Sequence, residues 1–225
     1  MCFSASASFS SSLLLAFVGT ETLRKVHKPS QIIFAGIPLY FALQQLTEGV
    51  VWMTLAHPGH AELQKAAAYC FKIMAEVIWP ILIPLSVFLM EENKIRKRIL
   101  FALLTLGTAV TFYYLYFIAF YDIHTEIIGR HISYQCSVQG SFDKISMLFY
   151  LFATLTPFFV SSIKKMPVVG AIMAASFAVA TYFYAQCLTS VWCFFAAVTS
   201  FAIFYLIRDA HKKYSSSLSR PRMRG

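Results

Sequence analysis

Acidic residues are scarce in this chain, ten in 225 positions against 19 lysines and arginines, and charged side chains make up only 13% of it. A soluble domain carries about a quarter charged residues. With 58% hydrophobic residues and a mean hydropathy of +0.64, there is too little polar surface to clothe one here. No established catalytic or cofactor motif is present, so no reaction is stated and any cofactor is left open. Neither an internal repeat nor a linker marks off a second domain. The last apolar stretch holds no lysine, which removes a retinal Schiff-base site, and the helical histidine motifs of a ceramidase-like centre are missing.

What the chain does have is apolar length. A hydrocarbon core about 30 Å thick takes roughly 20 helical residues to cross. Seven stretches approach that length: Phe3–Val18, Ile32–Leu55, Ala66–Met90, Ile99–Phe120, Ile145–Ile163, Val168–Cys187 and Val191–Ile207. The expectation is an all-α polytopic membrane protein, with a single seven-helix domain over residues 1–211 and a basic, serine-rich, disordered tail over 212–225. Basic clusters fall on every second connection: Arg24, Lys25 and Lys28; Lys94, Arg96, Lys97 and Arg98; Lys164 and Lys165; and the tail from Arg208. Lysine and arginine stay on the cytoplasmic side. The amino terminus is therefore expected outside and the carboxyl terminus inside, in an inner membrane. The first stretch reads as a retained reverse anchor, because its positive charges follow the apolar run. Membrane lipids, rather than nucleic acid, are the partners that this charge pattern predicts.

Cysteine usage leaves alternatives open. Five cysteines cannot all pair within one chain. Cys136, Cys187 and Cys193 lie toward the external side, where Cys187 with Cys193, or Cys136 with either, can form a disulfide. The other reading is buried thiols packing as small apolar groups.

Each charge inside a span costs about 2.5 kcal/mol or more on insertion scales. Three occur: Glu48, Lys72 and Glu76. On the second helix, Gln44, Gln45, Glu48 and Trp52 share one face. On the third, Tyr69, Lys72, Glu76, Trp79 and Pro80 gather on one side, and the prolines Pro80 and Pro84 predict a kink. Counting inward puts Glu48 and Glu76 each roughly 10–15 Å below the outer surface. The two carboxylates are expected to face an externally open pocket between helices two and three that takes a small molecule or ion. In the structural alternative, Lys72 pairs with Glu76 and a glutamine satisfies Glu48.

The connection Tyr121–Lys144 reads as a loop that supplies a polar cap next to the fourth helix, with His131 and Tyr134 as its candidate site residues. His124, Glu126 and His131 are able to ligate a metal or carry protons, but their spacing fits no standard zinc motif, and no metal centre is assigned. His57-Pro58-Gly59-His60 reads as a tight turn. Aromatics over Phe112–Phe117 and near the outer ends of the last two helices fit an interfacial belt. Gly170, Ala174 and Ala178 form a small-residue stripe suited to close helix packing.

Met1-Cys2-Phe3-Ser4-Ala5, Gln44-Gln45-x-x-Glu48-Gly49-x-x-Trp52 and Trp79-Pro80-x-x-x-Pro84 together resemble an uncharacterised family of bacterial integral membrane proteins. That resemblance implies membrane location and one domain, and carries no catalytic residues. Removal of Met1 would free Cys2 as a nucleophile or acylation site, although no partner for either chemistry is visible. Besides binding or transport, two functions stay open: an integral-membrane enzyme acting on a lipid or prenyl-linked substrate, and a sensory or assembly module.

Overall fold

Ser4 starts the first helix by accepting a hydrogen bond from the Ala7 backbone N–H at 3.3 Å, which satisfies one of the donors a helix start leaves unpaired. The computed structural model describes residues 4–57, 59–136 and 142–219. Cys2, Pro58 of the predicted tight turn, and residues 220–225 of the tail lie outside the described residues. The chain forms α1 (Ala5–Leu23) and α2 (Ile32–Ala56). A continuous rod follows: α3 (Ala61–Lys72), a π-helical segment (Ile73–Ile78) and α4 (Trp79–Met90). Next come α5 (Lys94–Phe120), the strands β1 (Ile123–Ile128) and β2 (His131–Cys136), α6 (Phe142–Val160), α7 (Met166–Phe183) and α8 (Leu188–Ser219).

Among the described residues, four stretches are long and apolar enough to cross a membrane: Ala61–Met90, Lys94–Phe120, Met166–Phe183 and Ala185–Ser217. Helix α6 is apolar but shorter, and α1 and α2 are diluted by serines and by Gln44, Gln45 and Glu48. Outward-facing Leu13, Phe17, Phe101, Phe112, Phe120 and Phe183 are each more than half exposed. An apolar exterior on that scale matches lipid rather than water.

The serines of α1 do not face solvent. Ser8, Ser11 and Ser12 are buried, and the Ser12 hydroxyl donates across to the Ala42 carbonyl of α2 at 2.7 Å. Glycines bring the same pair together: a Cβ on Gly19 would stand 2.6 Å from Leu39, and one on Gly49 would stand 2.7 Å from the Phe9 ring. Small residues let helices approach where lipid offers no hydrophobic drive. Gly170, at the head of the predicted small-residue stripe, seats α7 against Phe158 of α6 in the same way.

Just ahead of Pro80 the rod departs from α-helical geometry as the π segment. In a π turn the N–H of residue 80 would reach the carbonyl of residue 75, but proline has no N–H. The Tyr150 hydroxyl on α6 supplies that bond, donating to the Ala75 carbonyl at 2.6 Å. Tyr40 on α2 donates to the Met74 carbonyl at 3.1 Å, and Thr111 on α5 to the Val77 carbonyl at 2.6 Å. Three hydroxyls on three helices thus occupy the carbonyls of one irregular segment. Pro84 removes a donor from the Pro80 carbonyl, and α5 closes over that oxygen: a Cβ on Gly107 would lie 1.8 Å from it.

Three expectations are corrected. The cap is an ordered antiparallel hairpin pairing Ile123 with Cys136 through Ile128 with His131, turned at Gly129 with φ +64. Isoleucine-rich strands around a two-residue Gly-Arg turn favour this over an irregular loop. Leu188–Ser190, read as a connection, is the first turn of α8, and Ala185–Cys187 makes the link as a 3-10 turn. Residues 212–219 are helical, not disordered. There Tyr214 stacks on His27 with ring centroids 5.0 Å apart, and Asp209 pairs with Lys165 at 3.1 Å and Lys213 at 3.2 Å.

At the basic end, buried Glu91 accepts bonds from the Ser162 N–H and hydroxyl, both at 2.7 Å, and from the Asn93 N–H at 2.9 Å. Arg96 donates to the Val160 and Ser161 carbonyls at 3.1 and 2.8 Å. Burial pushes the Glu91 carboxyl up, but the Ser162 and Asn93 donors and the Arg96 charge outweigh it and hold it below the ordinary range.

Two predictions follow from this packing. Gly107→Ala should lower the thermal midpoint in detergent, since overpacking costs about 1–3 kcal/mol. Gly36→Ala, whose Cβ meets nothing within 4 Å, should leave it unchanged or raise it. A depressed carboxylate pKa stabilises the fold above the unfolded value, about 4.3 for glutamate, and that stability is lost as pH falls through the folded one. Melting curves across pH 3–6 should therefore show an acid-side loss that is smaller in Glu91→Gln, which starts from a lower midpoint.

Candidate functional site

The predicted residues fall into a buried layer and a cavity. In the layer, Gln44, Gln45 and Glu48 are fully buried on α2. The Gln44 amide donates to the Cys193 sulfur at 3.0 Å and accepts from the Trp79 indole N–H at 3.1 Å, joining α2 to α8 and α4. Gln45 donates to one Glu48 oxygen at 3.3 Å, and the Ser190 hydroxyl donates to the other. Trp79 also packs against Tyr40 and Phe41, with ring centroids 4.8 and 4.4 Å away. A glutamine on a carboxylate is the arrangement the structural alternative foresaw. Ser190 was missed, because nothing local links it to a residue 142 positions earlier.

Lys72 and Glu76 pair on their own rod at 2.8 Å, again as the structural alternative has it. They line a cavity of about 610 Å³. Its other walls are Tyr113, Tyr114, Phe117 and Ile118 of α5, Met147 of α6, and the turn Ala185–Cys187 with Leu188 and Thr189. Ile123, Glu126, Ile128, Ile132, Tyr134, Gln135 and Cys136 of the hairpin roof it. No α2 residue lines this cavity, so Glu48 does not face Glu76 across it. Trp79 also departs from the side shared by Lys72 and Glu76: it meets Gln44, because the π segment between them breaks the 3.6-residue period on which the shared face rested.

The remaining site residues divide. Tyr134 lines the cavity and stacks on Phe71 with centroids 4.6 Å apart. Trp52 packs beside it in a buried cluster with Phe71 and Ile132. His131 sits outside the cavity lining, edge-on to Tyr184 at 4.6 Å. Burial pushes the His131 pKa down. Among the described residues no three histidine, cysteine or acidic side chains converge to hold a metal. Cys70, Cys136, Cys187 and Cys193 are all free thiols, so the Cys187–Cys193 disulfide is not formed.

The cavity holds an ion pair at its inner end, a carboxylate at the hairpin and aromatic walls between them. Its volume falls in the range of small-molecule sites, about 300–1,000 Å³. The buried layer links α2 to α4 and α8 through these bonds and can orient the rod that carries Lys72 and Glu76. Tyr150→Phe, which strips the Ala75 carbonyl of its hydroxyl, should cost about 1–3 kcal/mol. Equilibrium unfolding in mixed micelles would measure this, and a shift under 0.3 kcal/mol would contradict the role given to that bond.

Neither the curated proteins nor the solved structures contain a match to this chain. One family model does match, over residues 1–217. The chain belongs to DUF6629, a family of unknown function.

Proposed function

We propose that this protein spans a bacterial inner membrane seven times, with its amino terminus outside, and binds a small molecule in the cavity beneath the hairpin. The observation that carries the reading is the cavity itself: about 610 Å³ in extent, with a partly accessible ion pair, Lys72–Glu76, set among aromatic, aliphatic and polar side chains. Burying charge beside apolar surface is costly unless the site uses it.

Topology has its own support. The rods α1, α2, α3–α4, α5, α6, α7 and α8 number seven, and their basic connections are tied together at one end. Lys28 of the first connection pairs with Glu92 of the third at 3.1 Å, and Lys165 of the fifth with Asp209 of α8 at 3.1 Å. At the other end Gln64 donates to Thr125 at 3.0 Å and Lys65 pairs with Asp122 at 3.3 Å, fastening the hairpin to the start of α3. By the positive-inside rule the hairpin end faces out, and the cavity opens with it.

Native mass spectrometry of gently extracted protein tests this proposal. Wild type and Glu48→Gln, which leaves the cavity wall untouched, should each carry a stoichiometric small-molecule adduct. Thr189→Trp, which fills the cavity from its wall, should lose it. Equal occupancy in all three proteins would place the ligand elsewhere, and the absence of an adduct from all three would argue for a purely structural cavity. Labelling Cys136 with an impermeant maleimide in intact cells checks the orientation. Modification only after permeabilisation would reverse it.

A further inference from the structure

We infer that the ligand is an organic cation with an apolar body, an alkylammonium or similar amine; this rests on the cavity being a binding site. Among the described charged residues that line it, one lysine stands against two glutamates. Lys72 is already committed to Glu76 at 2.8 Å, which leaves Glu126 as the surplus charge. Glu126 is exposed on β1 and accepts from the Gln135 amide at 3.0 Å. It has no ion-pair partner among the described residues. A carboxylate held by an amide but not neutralised is a receptor for a cation.

The walls point the same way. Tyr113, Tyr114, Phe117 and Tyr134 line the cavity, and aromatic faces carry the negative part of the ring quadrupole, which attracts ammonium groups within about 6 Å. An anion would have to pull Lys72 from Glu76 while meeting Glu126, so it loses on both contacts. The rest of the lining, Ile118, Ile132, Met147 and Leu188 among it, asks for hydrocarbon. An ammonium headgroup on an alkyl body meets both demands. Its source can be a free amine or the headgroup of an aminophospholipid, since both present the same ammonium.

The test uses the full-length protein in nanodiscs of phosphatidylglycerol, which has no amine, and a dodecylammonium probe bearing a diazirine. Photo-crosslinks are mapped by mass spectrometry and competed by unlabelled dodecylammonium, dodecanol and dodecanoate. Crosslinks should fall on the cavity walls, and dodecylammonium should compete at roughly tenfold lower concentration than the other two, the ratio that one charged contact of about 1.4 kcal/mol supplies. Glu126 is exposed, so Glu126→Gln leaves the packing in place, which a matching melting curve verifies, and it should erase most of that preference. Wall crosslinks competed equally by all three compounds, or best by dodecanoate, would overturn the cation assignment and leave the binding site standing. A preference that survives in Glu126→Gln would overturn the role of that carboxylate. No crosslinks on the walls would overturn the binding site itself. Repeating the experiment with phosphatidylethanolamine added separates the sources: loss of crosslinking identifies the lipid headgroup, and unchanged crosslinking identifies a free amine.

Discussion

In apolar surroundings every backbone carbonyl without an N–H must find another donor, and the central rod of this protein contains a segment that cannot meet that demand alone. Pro80 and Pro84 withdraw two donors, and the π segment Ile73–Ile78 shifts the register of those that remain. Tyr150 supplies the Ala75 carbonyl that Pro80 leaves open, and Tyr40 and Thr111 donate to the Met74 and Val77 carbonyls beside it. Three neighbouring helices are thereby fixed to one stretch of backbone. The close seating of Gly107 on the Pro80 carbonyl belongs to the same arrangement, since only a residue without a side chain lets α5 come near enough for its threonine to reach.

That constraint also explains where the cavity lies. Within two turns of Thr111 toward the hairpin along α5 come Tyr113, Tyr114 and Phe117, and one turn from Tyr150 toward the hairpin along α6 comes Met147, all of them cavity walls. Immediately before the π segment on the central rod lies Lys72, with Glu76 at the segment's own first turn. The hydroxyl bonds and the cavity thus occupy successive levels of the same helices. Beyond them the hairpin closes that end of the bundle, held through Gln64 to Thr125 and through the stacking of Tyr134 on Phe71.

Much of this was legible in the sequence where the cause is local. Apolar runs mark the helices, and spacing alone gives Lys72 with Glu76 at four residues and Gln45 with Glu48 at three. Legibility fails where the cause is tertiary. Nothing near Ser190 announces that it will donate to Glu48, and the error of treating Leu188–Ser190 as a loop hid the one position from which it can. The shared face of Lys72, Glu76 and Trp79 assumed a constant period, and the π segment cancelled that assumption between Glu76 and Trp79. The hairpin is a different case. Its isoleucines and its Gly-Arg turn were visible, but two histidines and a glutamate drew attention to ligand chemistry before backbone pattern.

Polar groups inside a bundle rarely add net stability over apolar packing of the same shape, so their presence needs another reason. Apolar side chains leave a helix nearly free to rotate about its axis relative to a neighbour, because many rotations bury similar area. Hydroxyl-to-carbonyl bonds do not, since each is satisfied at one rotation only. With donors on α2, α5 and α6, the central rod has a single setting, and the direction in which Lys72 and Glu76 project is settled along with it. The layer of Gln44, Gln45, Glu48 and Ser190 does the same for α8 against α2, and α8 begins with two of the cavity's wall residues, Leu188 and Thr189. The buried polar residues therefore define the cavity without entering it, which is why Glu48, the most conspicuous charge in the sequence, belongs to the frame of the site rather than to its lining.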